Sequence, residues 1–145
     1  MDTVDIYVCV RNNADTLNAT FDCLRACEDA GYTFVYHFYE NDSTDNTIEM
    51  VNKFLETREG KVLSQTLCTP HYGHIVNKNR IDQIARCRNV CKRMCNCPNP
   101  VSIILDTCVC FSVNTLNNLI QALTDNAIVA SCAYGLDCNG SYYDT

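Results

Sequence analysis

Residues 4–10 read VDIYVCV, and this stretch decides the fold class. It is short, almost continuously apolar and rich in β-branched and aromatic residues, which is typical of a strand buried on both faces of a parallel sheet. The polar stretch RNNAD at residues 11–15 breaks it, and apolar residues then recur at helical spacing from Leu17 to Cys27. Gly31 stands where a left-handed residue commonly ends a helix. The segment therefore predicts a strand followed by a helix.

The same alternation continues along the chain. Further strands are predicted at residues 34–39, 62–67, 101–105 and 128–133. The helices between them carry apolar stripes that we expect to face inward: Ile48, Val51 and Leu55; then Ile81, Ile84, Ala85 and Cys91 within residues 79–94; then Leu116, Leu119, Ile120 and Leu123. Ser43 or Thr44 is expected to cap the second helix and Gly60 to end it. This pattern predicts an α/β fold with a mostly parallel sheet, flanked by helices on both faces, in the strand order 3-2-1-4.

Length and composition indicate one domain covering residues 1–145. The 47% of hydrophobic and 19% of charged residues are close to globular averages, which argues against disorder, collagen and coiled coil. No run approaches the roughly 18 consecutive apolar residues of a membrane span, and the first residues lack the positive charge of a signal peptide. We therefore expect a cytoplasmic protein with no membrane span.

The charge is acidic overall but unevenly distributed. A net charge of -6 disfavours non-specific binding to nucleic acid or to an anionic membrane. Six of the 11 basic residues nevertheless fall within the third predicted helix or its start: Lys78, Arg80, Arg86, Arg88, Lys92 and Arg93. The cluster favours a local anionic ligand, and the alternative is a solvated helix face.

Twelve cysteines are unusually many for a chain of this length. Cys9 lies in the first strand, and Cys23 and Cys27 have helical spacing, so we expect reduced thiols that act as small buried hydrophobes. The alternative is a zinc site built from Cys87, Cys91, Cys95 and Cys97, whose spacing lacks the paired knuckles of common structural zinc sites. Three histidines, His37, His71 and His74, are expected to be core or surface residues rather than ligands.

Three polar segments follow predicted strands, at residues 11–13, 40–42 and 106–108. In a sheet of this order, ligands bind beyond the carboxyl ends of the strands, where the order reverses between strands 1 and 4. Turns do not favour arginine, so turn formation does not explain Arg11 at this place. Its guanidinium group can recognise a phosphate with two hydrogen bonds. No glycine-rich phosphate loop is present. A phosphate would therefore be held by a metal on Asp106 and by the cations of the third helix.

Four segments together resemble the nucleotide-sugar half of GT-A glycosyltransferases. They are VCVRNN at residues 8–13, YENDSTDNT at 39–47, IARCRN at 84–89 and ILDT at 104–107. The similarity extends over essentially the whole chain and is most specific in NDSTDNT and in the Arg-Asn pair. Within that group, the chain resembles glycosyltransferases of large algal DNA viruses and capsule-associated mannosyltransferases of fungi.

The resemblance implies an activity and a set of partners. A hexose or deoxyhexose would pass from a nucleotide-diphosphate sugar, with UDP-sugar preferred, to a glycan or glycoprotein acceptor, in the host cytoplasm if the protein is viral. Mn²⁺ or Mg²⁺ would be the cofactor. The alternative is a catalytically silent nucleotide-binding or regulatory α/β module; a signalling receiver is disfavoured because Arg11 stands where a receiver carries acidic residues.

The resemblance also implies roles for individual residues. Loops after the first two strands would hold the base and ribose, Arg80 and Arg88 would approach the diphosphate or sugar, and Asp106 would open the D-x-D metal motif. The implied nucleotide-sugar-binding residues are Val10, Arg11, Asn13, Glu40, Asn41, Asp42, Arg80, Arg88, Asp106 and Thr107, and the metal positions are Asp106 and Cys108. Cys108 replaces the second carboxylate of the motif and is a soft ligand for such a cation.

Enzymes of this type continue into an acceptor-binding half after the D-x-D segment. This chain ends soon after Cys108, so we expect a fragment that lacks part of that half. Its last residues, Tyr143-Asp144-Thr145, resemble a Tyr-Asp-Thr motif of such enzymes. Inverting transfer needs a carboxylate to deprotonate the acceptor hydroxyl, and the late candidates are Asp125, Asp137 and Asp144. Of these we expect Asp144 to be the catalytic residue.

Overall fold

The computed structural model of the chain describes residues 3–72, 77–125, 135–136 and 142–143. Its elements are, in chain order, β1 (Thr3–Val10), α1 (Leu17–Asp29), β2 (Thr33–Asn41), α2 (Thr47–Leu55), β3 (Gly60–Gln65), α3 (Lys78–Arg93), β4 (Val101–Leu105), α4 (Val113–Asp125), β5 (Gly135–Leu136) and β6 (Tyr142–Tyr143). Strands β1 to β4 form a parallel sheet in the order β3-β2-β1-β4, and β5 pairs antiparallel with β6. The predicted alternation and strand order are confirmed. The strand predicted at residues 128–133 lies outside the described residues.

The sheet is covered on both faces, as predicted. Alternate residues of β1 and β2, among them Val8 and Phe38, pack with α1, α2 and α4 in the larger core. The intervening residues, among them Tyr7 and Tyr39, pack under α3 in a smaller cluster. Because β1 is paired on both edges and buried on both faces, its apolar run needs almost no polar alternation. No helix within the described ranges is long and apolar enough to cross a membrane.

The predicted boundaries of α2 need correction. The helix begins after Asn46 rather than after Ser43 or Thr44, because the Asp45 carboxylate accepts a hydrogen bond from the backbone N–H of Thr47 at 3.0 Å. The fully buried residues of the helix are Thr47, Val51 and Phe54, whereas Ile48 and Leu55 are only half-buried. The ring of Phe54 stacks on that of Phe21, with centroids 4.0 Å apart. This stack rotates the inward face by about one residue from the predicted stripe.

The inward face of α3 also differs from the prediction. Ile81 is 54% exposed and Ala85 is exposed, while Cys87 and Cys91 are buried. The thiol of Cys91 donates to the backbone carbonyl of His37 at 3.1 Å. We attribute the shift to the bulky rings of Tyr7 and Tyr39 on this face of the sheet, which leave room for small thiols rather than branched side chains.

Two glycines have identifiable roles. Gly31 follows α1 with a φ of 99°, the left-handed backbone that was predicted for it. Gly60 begins β3 instead of ending α2, so this strand starts two residues earlier than predicted. A Cβ atom on Gly60 would lie 2.6 Å from the carbonyl oxygen of Tyr36, and only glycine allows that approach.

Candidate functional site at the carboxyl edge of the sheet

The topology brings the three predicted polar segments to one edge of the sheet. Parallel strands β2, β1 and β4 are neighbours, with Val10 of β1 opposite Glu40 of β2 and Val8 opposite Leu105 of β4. Their carboxyl ends therefore open onto residues 11–13, 40–42 and 106–108. This is where the strand order reverses, the usual ligand position of an open α/β sheet.

The stretch at residues 43–47 ties the loop after β1 to the loop after β2. Asn12, in left-handed backbone with a φ of 52°, accepts a hydrogen bond from the Thr44 N–H at 2.7 Å on its side-chain oxygen. Backbone N–H groups on the β1 side donate in return to side chains of the stretch: Asn12 to Ser43 at 3.1 Å, Asn13 to Thr47 at 2.8 Å and Ala14 to Asp45 at 3.1 Å. The two loops are thereby held as one unit.

Asp42 organises the loop that follows β3. Its carboxylate accepts the backbone N–H groups of Leu67 at 2.7 Å, Cys68 at 2.9 Å and Thr69 at 3.1 Å, and the Thr69 hydroxyl at 2.8 Å. Burial opposes the charged form, but these hydrogen bonds outweigh it and hold the pKa of Asp42 well below its usual range. The carboxylate is therefore ionised at neutral pH and fixes the loop over the sheet edge.

Arg11 turns toward the same loop. Its Nη2 donates to the Thr69 carbonyl at 2.7 Å, and its Nη1 donates to the Thr69 hydroxyl and to the Pro70 carbonyl, each at 3.2 Å. The Asp42 carboxylate lies 4.0 Å from Nη2. The Nε–H group is buried and has no acceptor within the described part of the chain. Arg11 thus orders the loop and keeps one buried donor unused.

Glu40 and Asn41 are both almost fully buried, and their side chains are engaged. Glu40 accepts from the Ser43 N–H at 2.8 Å and from the Ser64 hydroxyl. The Asn41 amide donates to Asp42 at 3.2 Å and accepts from the Cys87 thiol at 3.6 Å. Among the other predicted residues of these loops, Val10 is a core residue, and the Asn13 side chain accepts from the Arg11 N–H at 2.8 Å.

Asp106 and Arg88 form an ion pair at the end of β4. One guanidinium nitrogen of Arg88 lies 2.9 Å from each carboxylate oxygen of Asp106, and both side chains are a little under half exposed. Thr107 is buried, and its carbonyl accepts from the Thr20 hydroxyl at 2.8 Å, which anchors the loop to α1. Cys108 is exposed. Arg80 lies in the first turn of α3, on a different part of the helix from Arg88.

The residues around Asp106 could hold a divalent cation only together with the phosphates of a ligand. No cluster of three histidine, cysteine or carboxylate ligands forms around Asp106 within the described residues. Mg²⁺ and Mn²⁺, however, are commonly held by one or two carboxylates together with substrate phosphates. The accessible carboxylate of Asp106 fits that arrangement, and the Cys108 thiol does not.

The four cysteines of the zinc alternative do not come together in the structure. Cys87 and Cys91 are buried, Cys95 is half-buried and Cys97 exposed, and no three of these thiols come within ligand distance of one another in the described structure. The four-thiol zinc alternative is therefore wrong. Each of the ten cysteines in the described ranges is a free thiol. Asp144, the candidate catalytic residue, and His74 lie outside the described residues.

The chain is similar to solved structures, but it matches no sequence family. No protein-family model and no curated protein matches the chain. The crystal structure of S. aureus TarS 1–349 matches with a TM-score of 0.58 and 19% identity over 88% of this chain and 33% of that one. The complex of TarS 1–349 with UDP-GlcNAc matches with a TM-score of 0.55 and 19% identity over 88% and 32%. The chain thus spans about a third of the length of the structures it matches.

This likeness bears on the fold. The predicted fold class, a GT-A or Rossmann-like parallel sheet flanked by helices, is confirmed by the architecture and by this match. The resemblance to viral glycosyltransferases and to mannosyltransferases finds no support among these matches and stays a prediction.

Sequence reasoning missed the residues that shape the site without belonging to a motif. Thr69 is the clearest example, since it meets Asp42, Arg11 and the side-chain amide of Gln83, which donates to its hydroxyl at 2.6 Å. The sequence around Thr69 does not predict this role, because its partners lie 14 to 58 residues away in the chain. Left-handed backbone at Asp42 and at Cys68, each with a φ of 54°, marks both sides of this contact.

Proposed function

We propose that this chain is the nucleotide-sugar-binding part of a glycosyltransferase. The donor is a nucleotide-diphosphate sugar, with UDP-sugar preferred, and the group transferred is a hexose or deoxyhexose. The acceptor is a glycan or glycoprotein. The observation that carries the proposal is the gathering of Arg11, Asp42, Arg88 and Asp106 at the switch point of the sheet. Its fold likeness to TarS, which was crystallised with UDP-GlcNAc, supports the same class of ligand.

In this proposal the loops after β1 and β2 hold the nucleoside. The buried Nε–H of Arg11 donates to the ligand, and Asp42 keeps the loop at residues 67–70 in place beside it. The charges of the α3 arginines, Arg80 and Arg88, stabilise the diphosphate, on which negative charge develops as the glycosidic bond breaks. Asp144 deprotonates the acceptor hydroxyl if the transfer is inverting.

The cofactor in this proposal is Mn²⁺ or Mg²⁺, held by Asp106. Such an ion neutralises charge on the departing diphosphate. For Asp106 to take that role, Arg88 must exchange its bond to the carboxylate for one to the diphosphate. In the free protein these two side chains neutralise each other; in the proposed complex Arg88 would pair with the diphosphate and Asp106 with the metal ion.

The second candidate function is a silent nucleotide-binding module. It is favoured by one observation, the pairing of both Asp106 oxygens with Arg88 beside a Cys108 that cannot replace a carboxylate. A protein of this kind would bind nucleotide equally well with and without Mn²⁺.

Calorimetry with UDP and GDP, each with and without Mn²⁺, tests the proposal. We expect UDP to bind, and Mn²⁺ to tighten binding. Asp106→Ala should abolish the Mn²⁺ effect, Cys108→Ala should change little, and Cys108→Asp should tighten Mn²⁺-dependent binding because it adds a hard anionic ligand. Asp22→Ala, on the exposed face of α1, is the matched control.

The outcomes separate the alternatives. Absence of binding to either nucleotide would overturn the proposal. Binding that ignores both Mn²⁺ and Asp106→Ala would establish the silent module instead. Melting temperatures of the same variants distinguish loss of a ligand from loss of folded protein.

A further inference from the structure

A second cluster of ionisable side chains lies away from the carboxyl edge, under the carboxyl end of α3. Asp5 of β1, His37 of β2 and Cys95 each offer a ligand atom, and these atoms lie within 4.8 Å of one another. His37 is opposite Tyr7 in the strand register and three residues before Glu40, so the cluster lies about 10 Å from Glu40 along β2. It is therefore separate from the proposed nucleotide site.

The two sheet residues are deeply buried and already held in position. The His37 Nε2 atom lies 2.9 Å from one Asp5 oxygen, and the other oxygen accepts the Asn99 N–H at 2.6 Å. Burial opposes the charge on Asp5, but the hydrogen bonds from His37 and Asn99 keep its pKa below the usual range. A fixed carboxylate and a fixed imidazole side by side satisfy the positional demands of a metal site.

Two buried polar atoms of the cluster have no partner. The Nδ1 atom of His37 and the hydroxyl of Tyr7 make no hydrogen bond within the described part of the chain. Both side chains are at least 96% buried, and their rings stack with centroids 4.7 Å apart. Unpaired buried polar groups are rare and costly. Of the two, the Tyr7 hydroxyl is the one that a water on a bound ion can reach, because Tyr7 lines the same cavity as Cys95.

A cavity adjoins Tyr7 and Cys95. It has a volume of about 310 Å³ and is lined by Tyr7, Asn89, Lys92, Arg93, Cys95 and Pro98. Burial and the nearby Asp5 carboxylate raise the pKa of Tyr7, so its hydroxyl keeps its proton at neutral pH. The cavity opens the Cys95 side of the cluster to solvent, which leaves room there for a water molecule.

We propose that Asp5, His37 and Cys95 form a zinc site. Imidazole, thiolate and carboxylate are the three ligand types of protein-bound Zn²⁺, and the cavity supplies room for a water as the fourth ligand. The bound Zn²⁺ is neutralised by one thiolate and one carboxylate, so the buried site carries no net charge. The purely oxygen-bound Mn²⁺ or Mg²⁺ of the nucleotide site would not compete for a thiolate.

The protons balance without any further reactant. Zn²⁺ replaces the proton that His37 Nε2 shares with Asp5, and the unpartnered Nδ1 atom takes that proton up. The Cys95 thiol releases its proton to solvent as it binds. With bonds of about 2.0 Å and tetrahedral angles, Nε2 and the Asp5 oxygen must separate to about 3.3 Å. That is about 0.4 Å more than the present 2.9 Å.

Zinc binding to reduced, chelator-treated protein tests the site. A competition titration with a chromophoric chelator should give one equivalent of Zn²⁺. Co²⁺ bound in its place should show a thiolate-to-cobalt charge-transfer band. Cys95→Ser should weaken Zn²⁺ binding by about 100-fold or more and remove the band. Cys97→Ser, at an exposed position two residues further along the same segment, is the matched control and should change neither.

Melting temperatures provide the second measurement. Zn²⁺ should raise the melting temperature of the wild type and of Cys97→Ser but not that of Cys95→Ser, because only a ligand bound to the folded state stabilises it. Absence of a stoichiometric Zn²⁺ or of the cobalt band in the wild type would overturn the proposal, whatever the variants do. Equal effects of the two serine substitutions, large or absent, would also overturn it. UDP binding by Cys95→Ser should equal that of the wild type, which keeps this test independent of the proposed function.

Discussion

Asp42 carries more of the candidate site's geometry than any other single side chain described above. It joins the end of β2 to the loop after β3 through four hydrogen bonds, and Arg11 reaches the same loop from the end of β1. Because the donors are mostly backbone N–H groups, the loop needs an acceptor at this place regardless of its own side chains. A single carboxylate thus sets the shape of a segment 25 or more residues away in sequence.

Replacing Asp42 with Asn should lower stability in a pH-dependent way. An amide offers one acceptor oxygen and turns two donors toward backbone N–H groups, so Asp42→Asn should lower the melting temperature at pH 7 by several degrees. The folded-state pKa of Asp42 is depressed, so its contribution is complete above about pH 5 and is lost as the pH falls through about 4 and below.

The difference in melting temperature between wild type and Asp42→Asn should therefore shrink between pH 5 and pH 2.5. Thermal unfolding followed by circular dichroism measures it. Asp22→Asn is the control, since the Asp22 side chain is 74% exposed and pairs with Arg25 in the same turn of α1. A difference that stays constant with pH would contradict the role assigned to the Asp42 charge.

At the scale of elements, α2 shows how packing overrides an apolar stripe. Phe54 stacks on Phe21 of α1 and meets Tyr36 and Phe38 of β2 edge-on. The guanidinium of Arg58 lies 4.3 Å from the same ring. These contacts decide which of two neighbouring apolar residues, Phe54 or Leu55, faces the core.

Alanine substitutions along α2 should reproduce this order. Phe54→Ala removes a ring that is 3% exposed and should lower the free energy of unfolding by about 3–5 kcal/mol. Leu55→Ala and Ile48→Ala, at half-buried positions, should each cost clearly less. Urea denaturation compares the three variants. A larger loss for Leu55→Ala than for Phe54→Ala would restore the stripe predicted from sequence.

At the scale of the whole molecule, the two faces of the sheet are unequally covered. Among the elements that the structure describes, three helices pack on the face that holds the larger core, and α3 is the helix that covers the other. Large apolar side chains remain exposed beside α3 and β4: Ile81 at 54%, Ile104 at 58% and Val109 at 41%. These positions therefore contribute little to the stability of this chain.

Substitutions at two adjacent residues of β4, one on each face of the sheet, should differ in their effect on stability. Leu105→Ala, in the larger core, should lower the free energy of unfolding by about 2–5 kcal/mol. Ile104→Thr keeps a β-branched side chain on the exposed face and should change it by about 0.5 kcal/mol or less. Urea denaturation of both variants gives the comparison. Similar losses at the two positions would show that Ile104 is covered in solution.

What the sequence determined by itself was the layout of the sheet. The run at residues 4–10, the polar breaks after it and the alternation of strands with helices sufficed to place β1 at the centre and the candidate site at the carboxyl edge. The elements follow from local periodicity, which is visible in one sequence, and their arrangement follows from the general right-handedness of crossover connections.

Tertiary structure alone decided the contacts that give each site its chemistry. Arg11 binds the loop at residues 69–70, Arg88 pairs with Asp106, and the Cys95 sulfur comes within 4.8 Å of Asp5 and His37. The phase of α3 likewise follows from the tyrosines it covers and not from its own apolar residues. Such pairings join positions up to 90 residues apart, and they depend on side-chain volume and on the demand of buried polar groups for partners. The spacing of residues along the chain predicts neither of these.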